Sequence, residues 1–329
     1  MRFALALGQH DCQNDWGPVM RFRKAIYAAG LLLAVGAAPP PPPEQFMGAN
    51  FEINRDRVQF GTLGSCAKGT TYLVPTVYLY IAARTKVGAG GTLGKAGVRG
   101  TVYTDGFTKG GIQQLAAQMQ NEIVSQLRAA GHNVLTFDDV RADVADKRRM
   151  EVNPRYGMPT KSMRQFPGID FFVATPSDEQ AIDSGMMGPQ SNYTKAAQRT
   201  GATLLFPQVW LTLPQVWATS STTEGMTWRS SQAGVGGNPS MKLAGAWING
   251  LTAKGAWCSI TVPEHGGRLP APVAGTFQQL STSTNDYGEW SVKSGDWSFA
   301  IDDAAVRTGA QAVGRSLGKL VTDSMEGRK

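Results

Sequence analysis

The sequence predicts an α/β or α+β fold, a mixed sheet packed by two or three helices with a long glycine-rich β-hairpin near the N-terminus. Two segments, 112–127 and 306–320, repeat apolar residues every three or four positions, as amphipathic helices do. Short runs rich in valine, isoleucine and aromatic residues lie between them and are typical of strands. Glycine makes up 39 of the 329 residues, which favours a chain with many turns.

The predicted domain, 71–325, starts with the hairpin. Thr71–Ala83 is rich in valine, tyrosine and isoleucine and predicts a strand, with Pro75 at an edge or a bulge. The glycine-rich stretch Gly88–Gly97 connects it to a second strand, Val98–Tyr103. The two strands together predict a hairpin with a long tip.

An amphipathic helix follows over 111–130 and ends at a glycine, a residue that commonly terminates helices. The acid pairs 138–139 and 302–303 predict the N-caps of two more helices, which reach about Arg149 and Met325. The remaining elements are a helix at 193–200, loops at 154–167 and 225–239, and strands at 133–137, 169–174, 202–210, 241–252, 254–262, 273–280 and 290–297, with 211–220 continuing the preceding strand or turning back.

Composition restricts the class of protein. Hydrophobic residues make up 42% and charged residues 17%, which is too apolar for a disordered chain, and three cysteines are too few for a disulfide-built scaffold. The formal charge of +7 is scattered, and its densest basic cluster, Lys147–Arg149, is flanked by Asp146 and Glu151. We therefore expect one globular domain, or at most two, and no nucleic-acid partner.

Residues 20–38 indicate a secretory signal peptide. A basic segment, Met20–Lys24, precedes an apolar run over 25–35 and the small residues Gly36–Ala38. The apolar run is too short to span a bilayer, which needs about 20 residues. We expect cleavage just before the proline run that follows; the alternative is a buried N-terminal helix.

On this interpretation Met20 is the true start, residues 1–19 are an extension upstream of it, and residues 39–70 are a proline- and glycine-containing linker. No cysteine follows the apolar run, so we expect no lipidation, although membrane association stays open. The mature chain keeps Cys66 and Cys258, and a periplasmic or secreted protein meets an oxidising compartment. These two cysteines either form a disulfide or remain two buried thiols.

Motifs for catalysis and metal binding are incomplete. The stretch 89–96 resembles a phosphate-binding loop but has alanine where the first glycine and the final hydroxyl residue belong. His132 follows a helix end, where a cation favours the helix dipole, and the set Cys258, Glu264 and His265 lacks a fourth zinc ligand. No nucleophile motif is present, and capping explains the acid pairs. We therefore expect no catalytic, cofactor or metal site.

Seven tryptophans lie in the C-terminal part of the chain, where they either pack in the core and at interfaces or form a surface for carbohydrate or peptide. They are Trp210, Trp217, Trp228, Trp247, Trp257, Trp290 and Trp297. A glycan-binding or hydrolytic protein that uses these tryptophans with Asp286 or Glu289 is therefore the alternative function.

The order of elements resembles a known family. The helix over Leu115–Gly131 leads to a strand ending at Asp138, and a later segment, Ala197–Val209, joins a helix to a strand. These segments are similar to the periplasmic α/β domain of the CsgG-like proteins, the curli-secretion-channel superfamily, and to relatives with a TolB N-terminal-like domain. The resemblance covers about 71–325 and implies a non-enzymatic, oligomer-forming envelope component. The channel proteins carry a lipidated cysteine after the signal peptide, where this chain has Ala37–Pro39.

We expect a non-enzymatic exported protein that acts by binding other envelope proteins or copies of itself. An edge strand or the tip of the glycine-rich hairpin would dock the partner, as in strand addition. The predicted interface residues are Tyr78, Tyr80, Lys86, Lys95 and Arg99; the alternative is a solvated hairpin. A channel subunit is a third interpretation, which would need alternating apolar residues on the hairpin; Pro75 and Lys86 disfavour it.

Overall fold

The computed structural model has an α+β architecture in which helices pack on a mixed sheet, so the predicted fold class is confirmed. It describes residues 51, 53–61, 66, 71–90, 96–149, 160–162, 164–182, 189–224, 229–264, 274–286 and 291–327. The predicted signal peptide, the first part of the predicted linker, Lys95 and Glu289 lie outside these residues.

The described residues form three α-helices, several short 3-10 helices and fourteen strands. The α-helices are α1 (Lys109–Ala129), α2 (Thr194–Thr200) and α3 (Asp303–Met325). The 3-10 helices are Arg55–Arg57, Asp138–Val144, Asp178–Gln180 and Pro189–Tyr193. The strands are β1 (Gln59–Gly61), β2 (Thr71–Leu73), β3 (Tyr78–Gly90), β4 (Gly97–Asp105), β5 (Asn133–Leu135), β6 (Thr160–Ser162), β7 (Ile169–Ala174), β8 (Thr203–Thr212), β9 (Gln215–Glu224), β10 (Arg229–Asn238), β11 (Lys242–Leu251), β12 (Trp257–Val262), β13 (Gly275–Asp286) and β14 (Ser291–Ile301).

The main sheet runs in the order β1-β12-β11-β8-β3-β4-β14-β13, and β2, β5, β6 and β7 attach beside β8 and β3. β3 and β4 form the predicted antiparallel hairpin, and β14 runs parallel to β4. β9 and β10 form a separate two-stranded sheet. We call strands β2, β5, β8, β11 and β12 with α1 and α3 the helix-covered half, and the hairpins 84–105, 215–238 and 275–301 the hairpin half.

Helix α1 forms because the sequence satisfies both its N-terminus and its apolar face. Thr108 Oγ1 accepts a hydrogen bond from the Gly111 N–H at 3.0 Å, which caps the first turn. Gln120 is buried as well, and its Nε2 donates to the Val74 carbonyl at 2.8 Å. The predicted apolar stripe is the buried face: Ile112, Leu115, Ala116, Met119, Ile123, Val124 and Leu127.

Helix α3 packs directly on α1 through small residues. A Cβ added at Gly314 would lie 2.9 Å from the Met119 Cα, and one added at Gly318 would lie 3.0 Å from the Ile123 Cα. Side chains at these two positions would push the helices apart, so glycine permits the close crossing. Asp302 caps α3 as predicted, since its Oδ1 accepts from the Ala305 N–H at 3.0 Å.

The predicted linker is wrong from residue 51 onward, because its described residues pack against the domain. Phe51 is buried, and its carbonyl accepts a hydrogen bond from Ser316 Oγ on α3. Arg55 forms an ion pair with Asp323 at the end of the same helix. β1 then pairs with β12 at the edge of the sheet. The burial of apolar side chains such as Phe51 and Val58 stabilises the contact of this segment with the domain.

Three element predictions are wrong in detail. Pro75 splits the predicted strand Thr71–Ala83 into β2 and β3, because proline has no N–H to donate to a ladder. The helix predicted from Asp138 to Arg149 is a shorter 3-10 helix that ends at Val144. The predicted loop over 225–239 contains β10, ten residues paired with β9.

Candidate functional site

Of the two alternatives for the cysteines, the structure has the disulfide. Cys66 and Cys258 are both buried, their Cα atoms lie 6.1 Å apart, and 192 positions of sequence separate them. Cys258 pairs with Gly250 on β11, where an added Cβ would lie 2.1 Å from the Cys258 Sγ. The disulfide therefore crosses over Gly250 and ties the segment before β2 to the outer strands of the sheet.

Two of the predicted interface residues lie in the core, so their assignment to an interface is wrong. Tyr78 is 1% exposed and its hydroxyl donates to the Ile182 carbonyl. Tyr80 is 5% exposed and stacks on Trp210 with ring centroids 4.9 Å apart. Burial raises the pKa of Tyr80 to about 12 because the phenolate would lose its hydration. Both tyrosines stabilise the sheet and present no ring to a partner.

Two other predicted residues share one open face of the β3–β4 hairpin. Lys86 pairs with Thr101, Arg99 pairs with Gly88, and residues two apart on a strand point to the same side. Both side chains are exposed. Tyr103 follows on that side and is exposed as well. Lys95, the fifth predicted residue, lies outside the described residues.

The open face continues across β14 to β13. Thr101 on β4 pairs with Asp296 on β14, which pairs in turn with Ser281 on β13. Ser281 Oγ donates to Asp296 Oδ2 at 3.1 Å. In the same way, Arg99 pairs with Ser294 on β14, and Ser294 pairs with Ser283 on β13. The result is a polar face with two cations at one side and short hydroxyl side chains at the other.

β13 ends the main sheet and pairs with β14 alone among the described strands. It is twelve residues long, and every residue from Gln278 to Asp286 is exposed. Leu280, at a bulge in the pairing, is 56% exposed. Proteins usually protect such an edge with lysine, proline, a bulge or a very short strand, and β13 has the bulge but none of the other three. The opposite edge, β1, is three residues long. β13 is therefore the edge of the described sheet that is suited to strand addition.

The other face of the hairpin half is covered by β9 and β10. Trp297 is fully buried there, and an added Cβ at Gly100 would lie 3.0 Å from its ring. Val235 from β10 approaches the same glycine at 3.2 Å. Glycine thus leaves space for a large ring between two thin layers of strands.

A cleft of about 340 Å³ opens where the β9–β10 hairpin leaves the sheet. Strand residues, including Thr85 and Thr212, line it together with Phe166 from the segment before β7. The Phe166 ring is fixed by edge contacts with Phe171 at 5.4 Å and lies 5.9 Å from Trp210. Sequence reasoning placed Phe166 in a polar loop and missed this cleft.

The tryptophans divide between core and surface. Trp210 and Trp297 are buried, which confirms the packing interpretation for these two. Trp247 and Trp257 are 38% and 49% exposed, and both point to one face, because Trp257 pairs with Leu251, four positions after Trp247. Trp217 lies against the backbone of β10. Trp228 and Trp290 lie outside the described residues.

The acidic residues considered for catalysis occupy structural positions or the strand end. Asp139 Oδ2 accepts a hydrogen bond from the Thr136 N–H at 2.7 Å, beside the 3-10 helix. Asp286 is the last residue of β13, and Glu289 lies outside the described residues. The His132 ring packs edge-on against Tyr72 at 5.0 Å.

The described part of the chain contains no group of three or more histidine, cysteine, aspartate or glutamate side chains that could hold a metal ion. Within the same residues, none of the helices has the length and apolarity needed to cross a membrane. No family model, curated protein or solved structure matches the chain. Any functional conclusion therefore depends on the geometry of the open face, the β13 edge and the cleft.

Proposed function

We propose that the protein is an exported, non-enzymatic component of a cell envelope that works by assembling with copies of itself or with other envelope proteins. The observation that carries this proposal is the long open edge of β13 beside a polar open face. An extended partner strand would continue the sheet there through main-chain hydrogen bonds. Arg99 on β4 and Lys86 on β3, two and three strands away on the same face, would contribute charge complementarity and would not determine the register.

Export is supported by the disulfide. Structural disulfides persist in oxidising compartments and are rare in reducing ones. Cys66 and Cys258 are both buried, so the bond is part of the folded core. A periplasmic or secreted location is consistent with such a bond and with the predicted signal peptide.

Two neighbouring proline substitutions test the edge. Successive N–H groups along a strand point to opposite sides, so of Ser283→Pro and Thr284→Pro one removes a donor of the open edge and the other a donor bonded to β14. The open-edge variant should keep its stability within about 0.5 kcal/mol and lose assembly. Light scattering gives the size of the oxidised full chain, chemical crosslinking in the intact envelope captures its partners, and denaturant unfolding gives stability.

The other proline variant is the matched control, since it should lower stability by breaking the β13–β14 ladder. Assembly that survives in both variants would contradict the proposed role of β13. A wild-type chain that is strictly monomeric and captures no envelope protein would contradict the proposed function itself.

A further inference from the structure

The cleft at the base of the β9–β10 hairpin carries a second proposal that does not depend on β13. Its volume, about 340 Å³, lies at the lower end of the range of small-molecule sites, roughly 300–1,000 Å³. That volume suits a compact ligand of one or two rings. The cleft is shaped by several distant parts of the chain, since β3, the 165–167 segment, the β8–β9 turn, the end of β10, the start of β11 and the residues after β12 all contribute.

Among the described residues that line the cleft, the two charged side chains pair with each other. Lys242 Nζ lies 2.9 Å from Glu264 Oε1, and the lysine side chain is only 13% exposed. The glutamate side chain is 70% exposed, so solvent also screens the pair, and the two opposite charges leave little net field for an ionic ligand. The cleft therefore favours a neutral molecule.

The remaining lining is mixed and contains both apolar rings and hydrogen-bonding side chains. Phe166, Pro167 and Trp217 supply ring surfaces. Gln165 and Asn238 add amides that both donate and accept hydrogen bonds. A matching ligand needs an apolar face and several neutral hydrogen-bonding groups around its edge.

We propose that this cleft binds a neutral saccharide of one or two pyranose rings. A pyranose has C–H faces that pack on aromatic rings and a rim of hydroxyl groups that match amides. A peptide strand fits less well, because peptides are recognised in extended form through unpaired backbone groups. The β3 backbone offers no unpaired groups at Thr85, because this residue pairs with Ile169 on one side and Val102 on the other.

Titration with glucose, galactose, N-acetylglucosamine and cellobiose tests the proposal on the oxidised full chain. Saturation-transfer NMR detects contact, and isothermal calorimetry gives the dissociation constant, which we expect in the millimolar range for at least one sugar. Gln165→Ala, at an exposed position, and Phe166→Ala should each weaken binding about fivefold to tenfold. Circular dichroism and thermal unfolding show whether each variant is folded.

Trp257→Ala is the matched control, because this exposed tryptophan on β12 pairs with Leu251 at the end of β11 far from Lys242, roughly 30 Å away at about 3.3 Å per residue. It should leave sugar binding unchanged. The proposal is overturned if none of the four sugars binds the wild-type chain, or if both cleft variants bind sugar as tightly as the Trp257→Ala control does. Binding of a blocked alanine–tryptophan–alanine peptide in place of every sugar would also overturn it. These outcomes leave the β13 proposal untouched, since neither proline variant alters the cleft lining.

Discussion

In the helix-covered half, α1 and α3 bury one face of β8 and β11 under aliphatic side chains, whereas in the hairpin half a second pair of strands takes the place of helices. The first arrangement fills its core with residues such as Leu211 and Leu317, both fully buried. The second fits one large ring, Trp297, above glycines. Among the described residues, the hairpin half thus leaves one face and the β13 edge open.

This difference separates stability from recognition. Buried aliphatic surface contributes most of the folding free energy, at roughly 25 cal/mol per Å². Open edges and polar faces contribute little to it and remain available to partners. We therefore expect changes in the helix-covered half to alter stability and changes along β13 to alter assembly. The following predictions test that division in order of expected effect.

The largest effect should come from the disulfide. Replacing both Cys66 and Cys258 by serine should lower the unfolding free energy by roughly 2–5 kcal/mol, because the bond closes a loop spanning 192 positions and restricts the unfolded chain. Denaturant unfolding of the full chain with and without the substitutions measures the loss. A thiol assay on the denatured, unreduced chain checks the bond, since of the three cysteines only Cys12 should react. Three reactive thiols before reduction would contradict the pairing.

A smaller effect should appear at high pH through Tyr80. The unfolded chain releases the phenol proton near pH 10, whereas the folded chain holds it to about pH 12. Stability contributed by the neutral phenol is therefore complete below pH 10 and falls as the pH rises to 12, by about 2–3 kcal/mol. Tyr80→Phe should remove this component, so the stability curves of wild type and variant should diverge above pH 10. Parallel curves through pH 12 would contradict the burial of this hydroxyl.

Strongly periodic segments of the helix-covered half are predictable from sequence. The apolar stripe of α1 and the Asp302 cap of α3 are local patterns, and outside this half β7 also occupies the same six residues that its composition predicts, Ile169–Ala174. Such elements are predictable because neighbouring residues alone determine them.

The hairpin half is less predictable because its strands depend on distant contacts. β10 contains serine, glycine and glutamine and looks like a loop, but its small residues are needed where Gly236 meets the Trp217 ring. Just before this half, Tyr80 lies in a segment that composition predicts to be a strand, but its burial depends on Trp210, far along the chain. The cleft forms where several strands and the 165–167 segment meet, so no local sequence motif predicts it.

The smallest effect should come from Leu280 on β13. This leucine is 56% exposed at the end strand, so Leu280→Ala removes little buried surface and should change the unfolding free energy by less than about 0.5 kcal/mol. The matched control is Leu317→Ala on α3. Leu317 is fully buried, so the same truncation there should lower the unfolding free energy by about 2–5 kcal/mol. Denaturant unfolding of both variants measures the contrast directly. If Leu280→Ala also weakened assembly, the open edge would be the contact surface; a stability loss near that of Leu317→Ala would instead mean that β13 is packed, and the division between the two halves would fail.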